Sequence, residues 1–199
     1  HFYIKNEFVR NPGLKGRPCV VVSEEKNDLV VIDKSSEAVN IKLGMSYQSA
    51  ISIYKDLVVL EADYDMYEDV HHNHMVIMNN ICPKVSSDDL GIIMLDITGL
   101  EMLYSGMNNL KKVLISSVDK EFNPRLGISD SSFFSYIGAL QCSPNGCMEI
   151  LDNFKLMPEI IPDMLPIKPG NKLKLKELGI SNLKQLSNWE MSYLQVQFG

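Results

Sequence analysis

Two β-branched runs, "RPCVVVSEE" and "NDLVVIDKS", flank a polar turn near Lys26 and predict a hairpin or a pair of adjacent strands. "SYQSAISIYKDL" then carries its apolar residues at helical spacing, and "LVVLEAD" returns to a strand pattern. "DYDMYEDVHHNHMVIMNNIC" predicts a long amphipathic helix with Met66, Val70, His74, Ile77 and Met78 near one face. "DLGIIMLDITGL" follows as a buried strand from Asp89 to Thr98 that carries the acid Asp96 in its apolar run, and "GLEMLYSGMNNLKKVL" predicts a helix. "PRLGIS" is a strand, "DSSFFSYIGALQC" a helix with Asp or Ser at its N-cap, and "GCMEIL" a strand after the turn "SPNG". From Phe154 the pattern changes: "KLMPEIIPDMLPIKPG" holds four prolines and predicts a linker-like boundary. Beyond it, "NKLKLKELGISNLKQLSNWEMSYLQVQFG" reads as two or three short helices broken at Gly179. The expected class is an α+β domain followed by a small helical one.

Composition narrows this picture. The 199 residues are 45% hydrophobic, enough for one large or two small cores, and no apolar run is long enough to cross a membrane. "HFYIKNEFVR" is too charged and mixed for a signal peptide. The chain starts without Met inside what reads as an element and stops at "LQVQFG", so a fragment is expected. Cys19, Cys82, Cys142 and Cys147 form no CxxC pair and read as buried or free thiols of a cytoplasmic protein. With 19 basic and 25 acidic residues the net charge is −6, which weighs against a surface given over to phosphate neutralisation.

Several pieces, in order along the chain, carry one resemblance. "HFYIKNEFVRNPGLKGRPCVVVS" combines an aromatic pair, a Glu and a Pro-x-Leu-x-Gly-x-Pro strand entry; "KLGMSYQSAI", "LDITG", "LGISDSSFFSYIGALQCSPNG" and "LKELGISNLKQLS" follow. Together these resemble DinB/UmuC-type (Y-family) DNA polymerases. The resemblance implies palm over 1–11, fingers over 12–61, palm again over 62–152 and a helix–hairpin–helix-like thumb over 153–199, without the family's little finger. It also implies a role in DNA repair by translesion synthesis.

At its chemical centre the sequence departs from the family. Catalytic members read Asp-Glu-x-x-Leu-Asp, and here Leu95 and Asp96 match the last two while Gly91 and Ile92 occupy the acid pair. Neither can ligate a hard cation, which takes oxygen ligands at about 2.0–2.1 Å for magnesium, and two-metal transfer requires them. Asp88 and Asp89 are the weak rescue candidates. On a continuous strand Asp89 lies on the same face as Gly91 but about 6–7 Å away, so rescue needs a bulge. Asp96 itself reads as hydrogen-bonded structure rather than a ligand.

Other losses agree. The family's nucleotide-contacting Tyr and Arg fall at Ser36 and Val39, the Lys of Lys-Pro-Asn-Gly is Ser143, and the preceding helix Lys is Tyr136. A triphosphate needs fixed cations or backbone donors. The family's first catalytic Asp lies upstream of His1. Phe2 and Tyr3 match the aromatic pair of the nucleotide pocket, with Tyr3 at the ribose-rejecting steric gate, or simply in the core; Glu7 matches the family's Glu or is a solvated helix residue.

This set of departures resembles the ImuB-type branch, which keeps the fold without the acids. The resemblance implies a non-catalytic adaptor that binds primer–template DNA and links an active polymerase to the sliding clamp, with no cofactor expected. The alternative is an active error-prone translesion polymerase with a rearranged metal site, which would use Mg2+. In the thumb, "KPGNKLKLKELGI" supplies Lys168, Gly170, Asn171 and Lys172, then Lys174 and Lys176, as a sequence-independent phosphate contact or as a solvated lysine face. In "HHNH" only His71 and His74 share a helix face, short of a zinc set.

Overall fold

The computed structural model describes residues 1–25 and 27–198, Pro169 by its backbone alone. Lys26, in the turn expected between the first two strands, and Gly199, the end of the expected thumb, lie outside the described residues. The chain forms two compact units, His1–Asn123 and Pro124–Gly199.

The first unit opens with α1 (Phe2–Arg10). His1 offers the helix no side-chain cap, and Asp33 supplies one from elsewhere in the chain: its buried carboxylate accepts from the Ile4 amide at 3.1 Å and the Lys34 amide at 2.8 Å, with His1 Nδ1 at 3.0 Å. A carboxylate at a helix start satisfies an amide that has no partner inside the helix. Two strands follow, β1 (Cys19–Glu25) and β2 (Asp28–Lys34), then α2 (Tyr47–Ile53) and β3 (Val58–Glu61). β1 lies between antiparallel β2 and parallel β3, with a register shift between Val21 and Val22.

The position of β1 explains its sequence. Cys19 and Val21 pack with Ile4, Phe8, Leu14 and Tyr67, whereas Val20 and Val22 pack with Val31, Ala38, Ile41 and Ala50. A strand covered on both faces reads as a continuous apolar run rather than an alternating one. Each buried valine contributes about 1.5–3 kcal/mol.

The long helix is α3 (Tyr64–Ile81), capped by Asp63, whose Oδ1 accepts from the Met66 amide. Its buried positions are Tyr67, His71 and Met78, and Ile77 is exposed. The predicted face is therefore rotated: the inward stripe carries Tyr67 and His71, which a hydrophobicity pattern does not count as core. The expected single strand from Asp89 to Thr98 is a hairpin, β4 (Val85–Asp89) and β5 (Ile92–Leu95), turning at Leu90–Gly91. The predicted helix after it breaks into α4 (Leu100–Leu103) and α5 (Met107–Ser116), because Ser105 takes a φ of 58° that no helix continues through.

The second unit begins with β6 (Arg125–Ile128), α6 (Ser132–Gln141) and β7 (Gly146–Glu149), a parallel strand pair joined through a helix. α6 lies so close to β6 that a Cβ on Gly127 would stand 1.8 Å from the Ser135 carbonyl oxygen. The four-proline stretch is packed rather than a linker: after α7 (Asn153–Leu156), Ile160, Pro162 and Leu165 are buried with Ile137, Ile150, Leu175 and Ile180. Pro158 and Pro162 stand in the first positions of two short 3-10 turns, where a missing N–H leaves no intrahelical bond unmade. α8 (Pro169–Glu177), α9 (Leu183–Ser187) and α10 (Met191–Phe198) complete the unit.

Candidate functional site

The acid-pair positions lie at the tip of the β4–β5 hairpin. Gly91 sits in the turn with a φ of +80°, and a Cβ built on it would meet the Phe2 Cβ and Cγ at 2.6 Å. Ordinary carbon contacts are about 3.5–4.0 Å. The aromatic ring of α1 therefore occupies the space that a side chain at position 91 would need. Ile92 opens β5 opposite Asp89 and is half-buried.

The backbone of the tip is held by a histidine. The Gly91 N–H donates to His71 Nδ1 at 3.2 Å, so that nitrogen is the acceptor and Nε2 carries the hydrogen. Nε2 reaches Ser87 Oγ at 2.8 Å, and Ser87 lies 2.6 Å from the Ile92 carbonyl and 3.0 Å from that of Asp89. Phe2 packs edge-on against the His71 ring, with centroids 6.0 Å apart, and stacks on Phe122 at 6.4 Å. Burial holds the His71 imidazole below its ordinary pKa; the Asp89 charge opposes this and His72 adds to it. His74 on the same face packs against Phe122 at 4.9 Å and is likewise lowered, by burial and then by His71. His72 is exposed. Among the described residues, no three His, Cys, Asp or Glu side chains come together in a way that could hold a metal.

Asp88 and Asp89 end β4. A register irregularity does occur, between Ser86 and Asp89, but it lies before the turn and leaves Asp89 paired with Ile92. Asp89 thus stands across a tight turn from Ile92, with Gly91 in the turn itself, rather than two positions along one strand face. Its Oδ1 accepts from the Leu90 amide at 2.8 Å. Its charge still reaches Tyr3, whose phenol is raised above its ordinary value by burial first, then by Asp89, Tyr64 and Asp33.

Tyr3 sits half-buried in a tyrosine cluster, 5.1 Å from the Tyr67 ring and 6.2 Å from Tyr64. Glu7 is buried rather than solvated: it accepts from the Tyr67 hydroxyl at 2.7 Å. Tyr67 is raised strongly, by burial and then by that carboxylate. Asp96 is hydrogen-bonded, but it lies outside the strand expected to bury it. It follows the end of β5 with 43% of its side chain exposed, paired with Lys84 at 2.8 Å and accepting from the Thr98 amide at 3.1 Å. The Lys84 hydrogen bond, then those from Thr98, hold its carboxyl down to about 2. It is a turn-closing, ion-paired group outside any apolar core.

The positions expected from the resemblance to face a nucleotide are engaged locally. Ser36 donates to Glu37 at 3.1 Å, and Val39 is exposed. Lys34 Nζ donates to the Ala38 and Val39 carbonyls at 2.8 and 3.1 Å, so a lysine closes this short loop on itself. In the second unit, Ser143 accepts from the Gly146 amide at 3.1 Å across the "SPNG" turn, and Tyr136 packs against that unit's core. Lys168 is the exposed N-cap of α8, and its carbonyl accepts from the Asn171 and Lys172 amides at 2.9 and 3.2 Å. Gly170 lies in the first turn of that helix with open space around its Cα. The other lysines have partners within the unit: Lys172 donates to the Asp163 carbonyl at 2.9 Å, Lys176 pairs with the Asp163 carboxylate at 2.7 Å, and Lys174 donates to the Gln197 carbonyl and lies over the Phe198 ring.

The structure thus brings Phe2, His71, Ser87 and Gly91 together at one tip, and Tyr3, Glu7 and Tyr67 beside it. The His71–Ser87–Gly91 chain was not foreseen; its one sequence signal is the helical spacing of Tyr67, His71, His74 and Met78. Gly91, Ile92 and Phe2 offer a hydrogen atom on Cα, an aliphatic chain and an aromatic ring where a divalent cation needs oxygens, so these three residues do not fit that ion.

Residues 1–139 match the model of the impB/mucB/samB family. The DNA polymerase IV of Dehalococcoides mccartyi is 26% identical across the whole chain, which covers 53% of that relative. The DNA polymerase IV of Saccharolobus solfataricus is 27% identical, again across the whole chain and 59% of the relative. The solved structure of DinB from Sulfolobus solfataricus superposes with a TM-score of 0.78 at 22% identity, covering all of this chain and 60% of that one. An insertion ternary complex of Dbh DNA polymerase gives 0.77 at 22% identity and 61% of its chain. The chain therefore spans between about half and three-fifths of these relatives, and the likeness to solved structures is one of fold.

Proposed function

Because the chain belongs to the impB/mucB/samB family, we propose that it is the palm, fingers and thumb of a Y-family-polymerase-like protein that engages primer–template DNA in damage-tolerant synthesis without carrying out nucleotidyl transfer. The division is that of the resemblance: palm 1–11 and 62–152, fingers 12–61, thumb 153–199. The observation that carries the proposal is the closed hairpin tip, where Gly91 adopts a left-handed φ and Phe2 fills the space a carboxylate would need. With Ile92 beside it, the strand presents no pair of oxygens to clamp metals between attacking and leaving groups. The positions for triphosphate cations, Val39, Tyr136 and Ser143, are uncharged.

DNA is the proposed partner, since the relatives at this similarity are named DNA polymerase IV. The α8 entry, with Lys168, Gly170, Asn171 and Lys172, is the proposed backbone contact. An active polymerase and the sliding clamp are the proposed protein partners of the longer chain, in the manner of the ImuB-type branch. A cytoplasmic location goes with this role, and no helix of the described residues is long and apolar enough to cross a membrane.

A second reading is favoured by the relatives' names and by the Asp89 carboxylate paired opposite Ile92: an active error-prone polymerase with a rearranged site and bound Mg2+. Primer extension by the complete parent protein, beside an active Y-family control, separates the two. Retained binding to primer–template DNA with no incorporation in magnesium or manganese supports the adaptor. Incorporation that is lost in Asp89→Ala overturns it.

A further inference from the structure

We propose that His71 is a proton-sensitive latch on the β4–β5 turn: the neutral ring holds the turn closed beside Phe2, and protonation releases it. His71 Nδ1 accepts the Gly91 N–H, which can only donate, and Nε2 is engaged at 2.8 Å by Ser87, which lies within hydrogen-bond reach of the Ile92 and Asp89 carbonyls. One imidazole therefore joins both sides of the hairpin to α3. The same ring supports the edge of Phe2, and Phe2 in turn covers Gly91. A proton on Nδ1 would set two N–H groups against each other and remove the acceptor that the Gly91 amide has among the described residues.

The groups facing the ring are few. On α3, His72 disfavours its charged form, and His74 lies on the same face; on β4, Asp89 favours it; α1 contributes the uncharged ring of Phe2. Burial is the largest influence and keeps the docked ring neutral, so the sum points the same way as the hydrogen bonds. A released imidazole takes up its proton near 6.5. Below that pH, and above the midpoint of the docked ring, the released state binds one more proton than the closed state. The opening constant then rises tenfold for each unit of pH decrease.

The test is NMR on the chain from pH 8 to pH 5. Long-range 15N–1H correlation spectra of the imidazoles should show His71 with hydrogen on Nε2 and bare Nδ1 at pH 8, titrating below the ordinary imidazole value of about 6.5. Exchange of the Gly91 amide, corrected for its intrinsic pH dependence, should accelerate about tenfold per unit below pH 6.5. In His71→Gln, that pH dependence should flatten. In Ser87→Ala, which loses the Nε2 partner, Gly91 should exchange faster already at pH 8. A hydrogen on Nδ1, a His71 midpoint at or above about 6.5, or Gly91 protection unchanged across the titration would each overturn the latch, and all three are read on the unmodified chain.

Discussion

Restoring the family's first acid, Gly91→Asp, should destabilise the first unit rather than rebuild a metal site. Two costs add. A non-glycine residue at φ +80° carries about 1–2 kcal/mol of backbone strain, at the lower end for Asp. The new Cβ would stand 2.6 Å from two carbons of Phe2, about 1 Å inside contact, and overpacking of this kind costs about 1–3 kcal/mol. The expected loss is about 2–5 kcal/mol. Trp189, the one tryptophan, belongs to the second unit, so unfolding of His1–Asn123 is best followed by far-UV circular dichroism and by hydrogen exchange of its peptides. For a unit of this size the melting midpoint should fall by roughly 10 °C. The overlap component is isolated by a double-mutant cycle with Phe2→Ala. Truncating the ring frees the space, so the pair should be less destabilised than the sum of the single variants by about 1–3 kcal/mol. A Gly91→Asp chain as stable as the parent, or a coupling below about 0.5 kcal/mol, would show that the turn re-forms without meeting Phe2.

Other expectations follow from the same geometry. The Asp96 carboxyl should titrate near 2 by 13C NMR and return towards about 3.9 in Lys84→Gln. Its folded value is depressed, so whatever this exposed pair adds to stability is present above about pH 4 and fades as the pH falls towards 2. Gly127→Ala should cost the second unit about 3 kcal/mol or more, read by Trp189 fluorescence in urea, because a Cβ 1.8 Å from the Ser135 oxygen forces backbone apart; a change under about 1 kcal/mol would mean that β6 and α6 separate readily. If α8 meets a DNA backbone, Lys168→Ala in the full-length protein should weaken binding uniformly across sequences and reduce the salt slope by about 1. The same substitution leaving affinity and slope unchanged would remove Lys168 from the interface.

Much of the architecture was legible along the chain. "CVVVS" declares a strand buried on both faces because four consecutive apolar positions have no solvent side, and β1 lies between two neighbours with a core on each face. The absence of oxygens at Gly91 and Ile92 is likewise a matter of residue identity, and so is the neutral replacement of the cations at Val39 and Ser143. Periodicity gave way where polar groups satisfy one another in the interior. Tyr67 with Glu7, and His71 with Ser87 and Gly91, make an inward stripe of α3 that an apolar count passes over. The proline-rich stretch reads as exposed because proline breaks regular structure, yet Ile160 and Leu165 are drawn into a core by residues far along the chain.

What the sequence alone determined is therefore the class of each element and the chemistry missing from the tip, since both depend on local side-chain types. The tertiary structure decided which way the tip faces. Whether "DDLGII" runs as one strand or turns back at Gly91 depends on contacts with Phe2, nearly ninety residues earlier, and on the His71 ring that takes the Gly91 amide. Such contacts carry no periodic trace, because they are made by pairs of residues that only the fold brings within reach.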